Sequence, residues 1–83
     1  MKFSDRLIRA IYAVNQDVAY EIEFEGGESA RQRDMILAEV CLDAGRLTTM
    51  GGSPESDAEV RELCEKHGYQ AVLREAAKHV SQA

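Results

Sequence analysis

Apolar residues recur at helical spacing along most of this chain. Leu7, Ile11, Val14, Val18 and Ile22 follow one another at intervals of three or four, with Ile8 and Tyr12 widening the stripe. Phe3-Ser4-Asp5 ahead of the run is a start signal. Ser4 can cap, Asp5 suits the positive end of the dipole, and Phe3 can staple onto Ile8. The spacing predicts a long amphipathic helix with a secure first half. Its second half is contested, because Tyr20-Glu21-Ile22-Glu23-Phe24-Glu25 alternates apolar and acidic residues as a strand does. Three glutamates before Gly26-Gly27 also crowd the negative end of a helix, at a cost of a few tenths of a kcal/mol each. The only segment able to pair with such a strand, Arg46–Met50, is short, so the pattern favours helix to about Glu23.

Gly26-Gly27 breaks the chain, and a second helix is expected from about Ser29, its cap, to Ala44, with Gly45 as the C′ residue. Met35–Leu42 is apolar nearly all round, which marks the central helix, contacted on more than one side. Thr48 to Ser53 reads as a polar, glycine-containing connection. Ser53-Pro54-Glu55-Ser56 then supplies a cap, a proline at N1 and an acid in the first turn; alternatively Ser56 caps, with Glu59 completing a capping box. Val60, Leu63, Cys64 and His67 are expected to face inward, and Gly68 to end the helix. Tyr69, Val72, Leu73, Ala76, Ala77 and Val80 give a last short helix. The expected fold is a single all-α domain over residues 1–83, with three to four helices packed around Met35–Leu42. The alternative is a small α+β domain in which 20–25 forms a strand, completed by a second subunit.

Size and composition suit a small domain of this kind. A chain of 83 residues and 9.2 kDa buries roughly 60–65% of its unfolded surface, enough for one core. Neither Trp nor more than one Pro is present, so the turn punctuation of a many-stranded protein is missing. Cys41 and Cys64 both fall in apolar-periodic helical segments, which points to free thiols in a reducing compartment. Met1–Arg9 carries Lys2, Asp5, Arg6 and Arg9 with no apolar h-region, and no run approaches the ~18 apolar residues of a membrane span. A cytosolic protein is expected. The net charge of −5 disfavours nucleic acid and anionic membranes, both of which need neutralising Lys and Arg.

Val60-Arg61-Glu62-Leu63-Cys64-Glu65-Lys66-His67-Gly68-Tyr69 resembles the first helix and turn of a helix-turn-helix, as in small transposase-type DNA-binding domains. That resemblance implies a DNA-binding regulator using residues 53–80, with Arg61 and Arg74 as its contacts. The following helix, however, offers one Gln and one Arg beside a Glu where base-reading residues belong, and the helix before it is acidic. Cys41, Cys64, His67 and His79 include a ligand-like Cys64-x-x-His67 spacing. They lack the two close pairs of a structural zinc site, so no metal is expected. No carboxylate sits in an apolar run that would tune it as a general acid, and neither Gly-Gly pair is followed by Gly-Lys-Ser/Thr. Neither a cofactor nor enzymatic activity is expected.

Charge segregation carries the functional expectation. Ala10–Ala30 holds Asp17, Glu21, Glu23, Glu25 and Glu28 and no base, so the remaining ten of fifteen acids balance all ten bases. In a helix Asp17, Glu21 and Glu25 share a face; in a strand Glu21, Glu23 and Glu25 do. Either way one side is acidic, with Tyr20 and Phe24 as candidate aromatic anchors. The expected role is an interaction module that binds and modulates a larger protein bearing a basic patch, in the manner of the small acidic accessory proteins of bacteria and phages. Its contact residues would be Asp17, Tyr20, Glu21, Glu23, Phe24 and Glu25. Self-association fits either fold, since a lone strand must pair and an amphipathic helix leaves a stripe to cover.

Overall fold

The computed structural model describes the backbone of residues 1–25, 30–43 and 46–81, and the side chains within them except those at 19–25, 30, 31, 33, 50 and 81. The elements are α1 (Asp5–Glu25), α2 (Ala30–Cys41), a π-helical turn (Leu47–Gly51), α3 (Pro54–His67) and α4 (Tyr69–Ser81). No strand occurs among the described residues, so the domain is all-α. The strand alternative at 20–25 gives way to helix, which runs two residues beyond the expected Glu23. A hairpin partner never forms, because Leu47–Gly51 coils instead of extending. The second helix ends at Cys41, three residues short of the expected Ala44, since Leu42 forms a turn and Asp43 is irregular; Ala44 and Gly45 themselves lie outside the described residues.

Sequence signals at the helix ends hold where they rest on capping chemistry. Ser4 Oγ accepts from the Leu7 N–H at 3.2 Å, and Ser53 Oγ accepts from the Ser56 N–H at 3.2 Å with Pro54 at the first helical position. Ser56 is therefore not the cap but a buried residue of the first turn. Gly68 ends α3 at φ 88°, its N–H donating to the Cys64 carbonyl at 2.9 Å. Only glycine takes that backbone conformation without strain. Ahead of the π-turn, Asp43 Oδ1 accepts from the Arg46 N–H at 3.1 Å.

Glu59 does something the sequence did not suggest. It leaves its own helix and reaches the start of α1, where its carboxylate accepts from the Ser4 N–H at 2.9 Å and from the Ser4 hydroxyl. The capping glutamate thus comes from 55 positions away. This clamp joins α3 to α1 through charge-assisted bonds, which are about twice as strong as neutral ones. Glu59→Ala is expected to cost about 1–2 kcal/mol, read as a lower urea midpoint at unchanged slope, because it strips α1 of half its cap. A midpoint equal to wild type would mean that the clamp is idle.

One core joins the four helices. α1 supplies Phe3 (just ahead of it), Leu7, Ala10, Ile11, Val14 and Val18; α2 supplies Leu37, Ala38 and Cys41, with Leu42 just after it; and α4 supplies Val72, Leu73, Ala76 and Val80. α2 packs on both α1 and α4, as a central helix should. It is less uniformly buried than its composition suggests, however, with Ile36 at 37% exposure on its outer side. α3 is peripheral, giving only Val60 to the buried apolar set, with Leu63 and Cys64 half-buried. One expectation about α3 fails here: His67 is exposed rather than inward. Tyr69 begins α4 as expected and is 43% exposed at its first position, where the helix has not yet reached the core. His79 stacks on Phe3 with ring centroids 5.5 Å apart and lies 3.8 Å from Glu75. Asn15 is buried within the α1 stripe, and its Oδ1 has no hydrogen-bond partner among the described residues.

Candidate protein-interaction face

The expected contact residues all lie on the second half of α1. Because α1 stays helical to Glu25, the helical grouping of positions 17, 21 and 25 applies rather than the strand grouping of 21, 23 and 25. Asp17 is exposed, as are Ala13 and Gln16 beside it, while Tyr12 one turn earlier is half-buried. The side chains of Tyr20, Glu21, Glu23, Phe24 and Glu25 lie outside the described residues, so only their backbone positions are fixed.

α1 differs from α3 and α4 in where its charges fall. α3 has Glu55 and Asp57 in its first turn and Lys66 and His67 in its last, and α4 has Lys78 and His79 in its last. Both obey the helix dipole. The last turn of α1 holds no base, and every charge from Asp17 to Glu25 is negative. Each such carboxylate near a helix C-terminus costs roughly 0.3–1 kcal/mol when exposed at low ionic strength.

A second acidic surface was not singled out by sequence. Glu39, Val40, Asp43 and Arg46 line an open depression of about 340 Å³ at the end of α2. Tyr69 belongs to the same region. Partial burial pushes its phenol up, and the negative charges of Glu39 and Asp43 push it further. The signal was present in the spacing of Glu39 and Asp43, but it could not be joined to Tyr69 without the packing of α2 on α4.

The chemistry-bearing residues elsewhere do not converge. Burial pushes the Cys41 thiol up to about 11, and its Sγ donates to the Ile11 carbonyl at 3.6 Å. Cys64 is half-buried, and burial raises its thiol as well. Both cysteines are free, and neither is tuned toward the thiolate a nucleophile requires. Among the described residues no three His, Cys, Asp or Glu side chains are grouped to hold a metal ion. Asp57 accepts a hydrogen bond from the Thr48 hydroxyl, which ties the π-turn to α3. On the α3–Gly68–α4 hairpin, Arg61 and Arg74 are exposed, and so are Glu62 and Glu65. No helix among the described residues is long and apolar enough to cross a membrane. Comparisons with protein-family profiles, curated proteins and solved structures return no match.

Proposed function

We infer that this chain is a small protein–protein interaction module that binds a larger protein and modulates it, as an inhibitor or adaptor, without chemistry of its own. Its contact face comprises Asp17, Tyr20, Glu21, Glu23, Phe24 and Glu25, and the partner's counterpart is a basic patch. One observation supports this reading above the others: α1 remains helical to Glu25 through a run of carboxylates that its own dipole opposes. A surface kept at some expense to its helix is a candidate for recognition. Charge complementarity of this kind sets specificity and speeds association.

The test is affinity purification from the source cell with the wild-type chain and with a Glu21→Lys/Glu23→Lys/Glu25→Lys variant. The wild type should retain a specific partner and the variant should lose it. Stability should not fall, because lysines near a helix C-terminus gain a few tenths of a kcal/mol each from the dipole. Retention of the same partner by a folded triple variant would show that the carboxylates only keep the surface soluble.

A further inference from the structure

The apolar stripe of α4 runs further than its cover. Tyr69, Leu73, Ala76 and Val80 recur at i, i+4, i+7 and i+11 on one face; the last three are buried and Tyr69 is exposed. α2 packs on α4, and its outer face carries Ile36, Glu39, Val40 and Asp43 at i, i+3, i+4 and i+7. Ile36 is exposed and Val40 half-buried, so apolar surface flanks the two carboxylates. Tyr69 stands near the same pair, whose charges act on its phenol. Glu39 and Asp43, one helical turn apart, line the depression of about 340 Å³ together with Val40 and Arg46. Neither makes an ion pair with another described residue. Asp43 Oδ1 is engaged by the Arg46 N–H, which leaves its Oδ2 and the whole Glu39 carboxylate facing the depression's open side. The large apolar side chains exposed among the described residues are Met1, Ile36 and Tyr69, and the last two adjoin this one place.

Carboxylates, an uncovered ring and aliphatic surface at one spot suit a cationic side chain with apolar neighbours. Arginine fits better than lysine. Its planar guanidinium offers five donors to two carboxylates at once and stacks on an aromatic face, where an ammonium is a strongly hydrated point charge. Arg46 limits the occupant to one cation, because a second base beside the first meets a like charge. We propose that this depression docks a single arginine of a partner protein, its guanidinium held by Glu39 and Asp43 against the Tyr69 ring, with an apolar neighbour in the partner covering Ile36 and Val40. The acidic half of α1 differs in kind, since it holds no base and suits a patch of several cations. The two surfaces share no residue, and this one does not depend on the α1 contact.

An amide NMR titration of the full chain with the peptide acetyl-Ala-Leu-Arg-Leu-Ala-amide tests this. Saturable shifts should centre on the second half of α2 and the first turn of α4. The same peptide with Gln in place of Arg should bind roughly tenfold more weakly or worse, and one with Lys should fall between them. Glu39→Gln/Asp43→Asn in the protein should cause a loss of the same size. Asp43→Asn keeps an Oδ1 to accept from the Arg46 N–H, so the fold is preserved, and circular dichroism checks it. Tyr69→Ala should weaken binding severalfold, whereas Tyr69→Phe, which keeps the ring, should bind as wild type does. Absence of saturable shifts at this place, equal binding of the Arg and Gln peptides, or a Glu39→Gln/Asp43→Asn variant that binds like wild type overturns the proposal. The Glu21→Lys/Glu23→Lys/Glu25→Lys variant separates the two surfaces. It should bind this peptide unchanged, and a loss confined to that variant would assign the arginine to α1 and overturn the proposal while leaving the α1 reading standing.

Discussion

Gly52→Ala should be among the most damaging single substitutions in this domain, at about 3 kcal/mol, against the roughly 4–12 kcal/mol total expected for a chain this size. A Cβ at position 52 would lie 2.0 Å from the Leu47 carbonyl oxygen and 2.4 Å from its carbon. Both are backbone atoms, so no side-chain rotation relieves the clash. Moving the Leu47 carbonyl means uncoiling the π-turn. Conformation is not the reason glycine is needed, since Gly52 sits at φ −98° and ψ −169°, which any residue adopts. Gly68→Ala is the control. There φ is 88° and ψ 147°, a conformation essentially confined to glycine, but a Cβ meets nothing within 4 Å, so the loss is backbone strain alone, about 1–3 kcal/mol. Urea unfolding of the two variants should therefore put the Gly52→Ala midpoint below that of Gly68→Ala. The reverse order would mean that the π-turn yields and that packing around it is loose.

Leu47→Ala follows, with an expected loss of 2–5 kcal/mol from removed burial and the cavity left behind. Leu47 is completely buried, although it lies in a five-residue turn between helices. The turn is held against α1 so closely that a Cβ on Gly51 would come within 2.6 Å of the Ala13 Cβ. Collapse around the missing leucine is limited by that contact on one side and by the Thr48–Asp57 tie on the other. Ile36→Ala supplies the comparison. It removes a larger side chain than alanine from an exposed site, and it should shift the midpoint little, within about 0.5 kcal/mol. Similar losses for the two would place Leu47 outside the load of the core.

These two residues also mark where sequence stopped being readable. Elements set by local chemistry were legible: the Ser4 cap, the Ser53-Pro54 start, Gly68 as a terminator, and the stripes of α1 and α4. Leu47 was not, because a single apolar residue among threonines and glycines has no period to reveal it. The π-turn exists because Gly52 permits a close approach to the turn's own Leu47 carbonyl and Gly51 a close approach to Ala13 of α1, the second condition being set by a residue far away in sequence. The Glu59 clamp was hidden in the same way, its local alternative being a capping box within α3. The half-buried place of His79 has a tertiary reason too. Residue 79 sits one position before the buried Val80, where Phe3 arrives from the other end of the chain. The acidic character of α1 could be read directly from composition, and its direction relative to the dipole followed once helix was established to Glu25. The surface formed by Glu39, Asp43 and Tyr69 required two helices to meet.

The Ser4–Glu59 clamp and the Phe3–His79 stack have a bearing on how this chain is made. Both close the residues just ahead of α1 onto helices translated after α1 and α2, and α4 contributes four of the buried core residues. While the ribosome is still extending the chain, α1 and α2 can pair only as a hairpin with one flank bare, and that flank invites chaperones or aggregation. The native state becomes reachable only once α4 has emerged. Slowing elongation across α3 would therefore prolong the vulnerable interval rather than assist maturation.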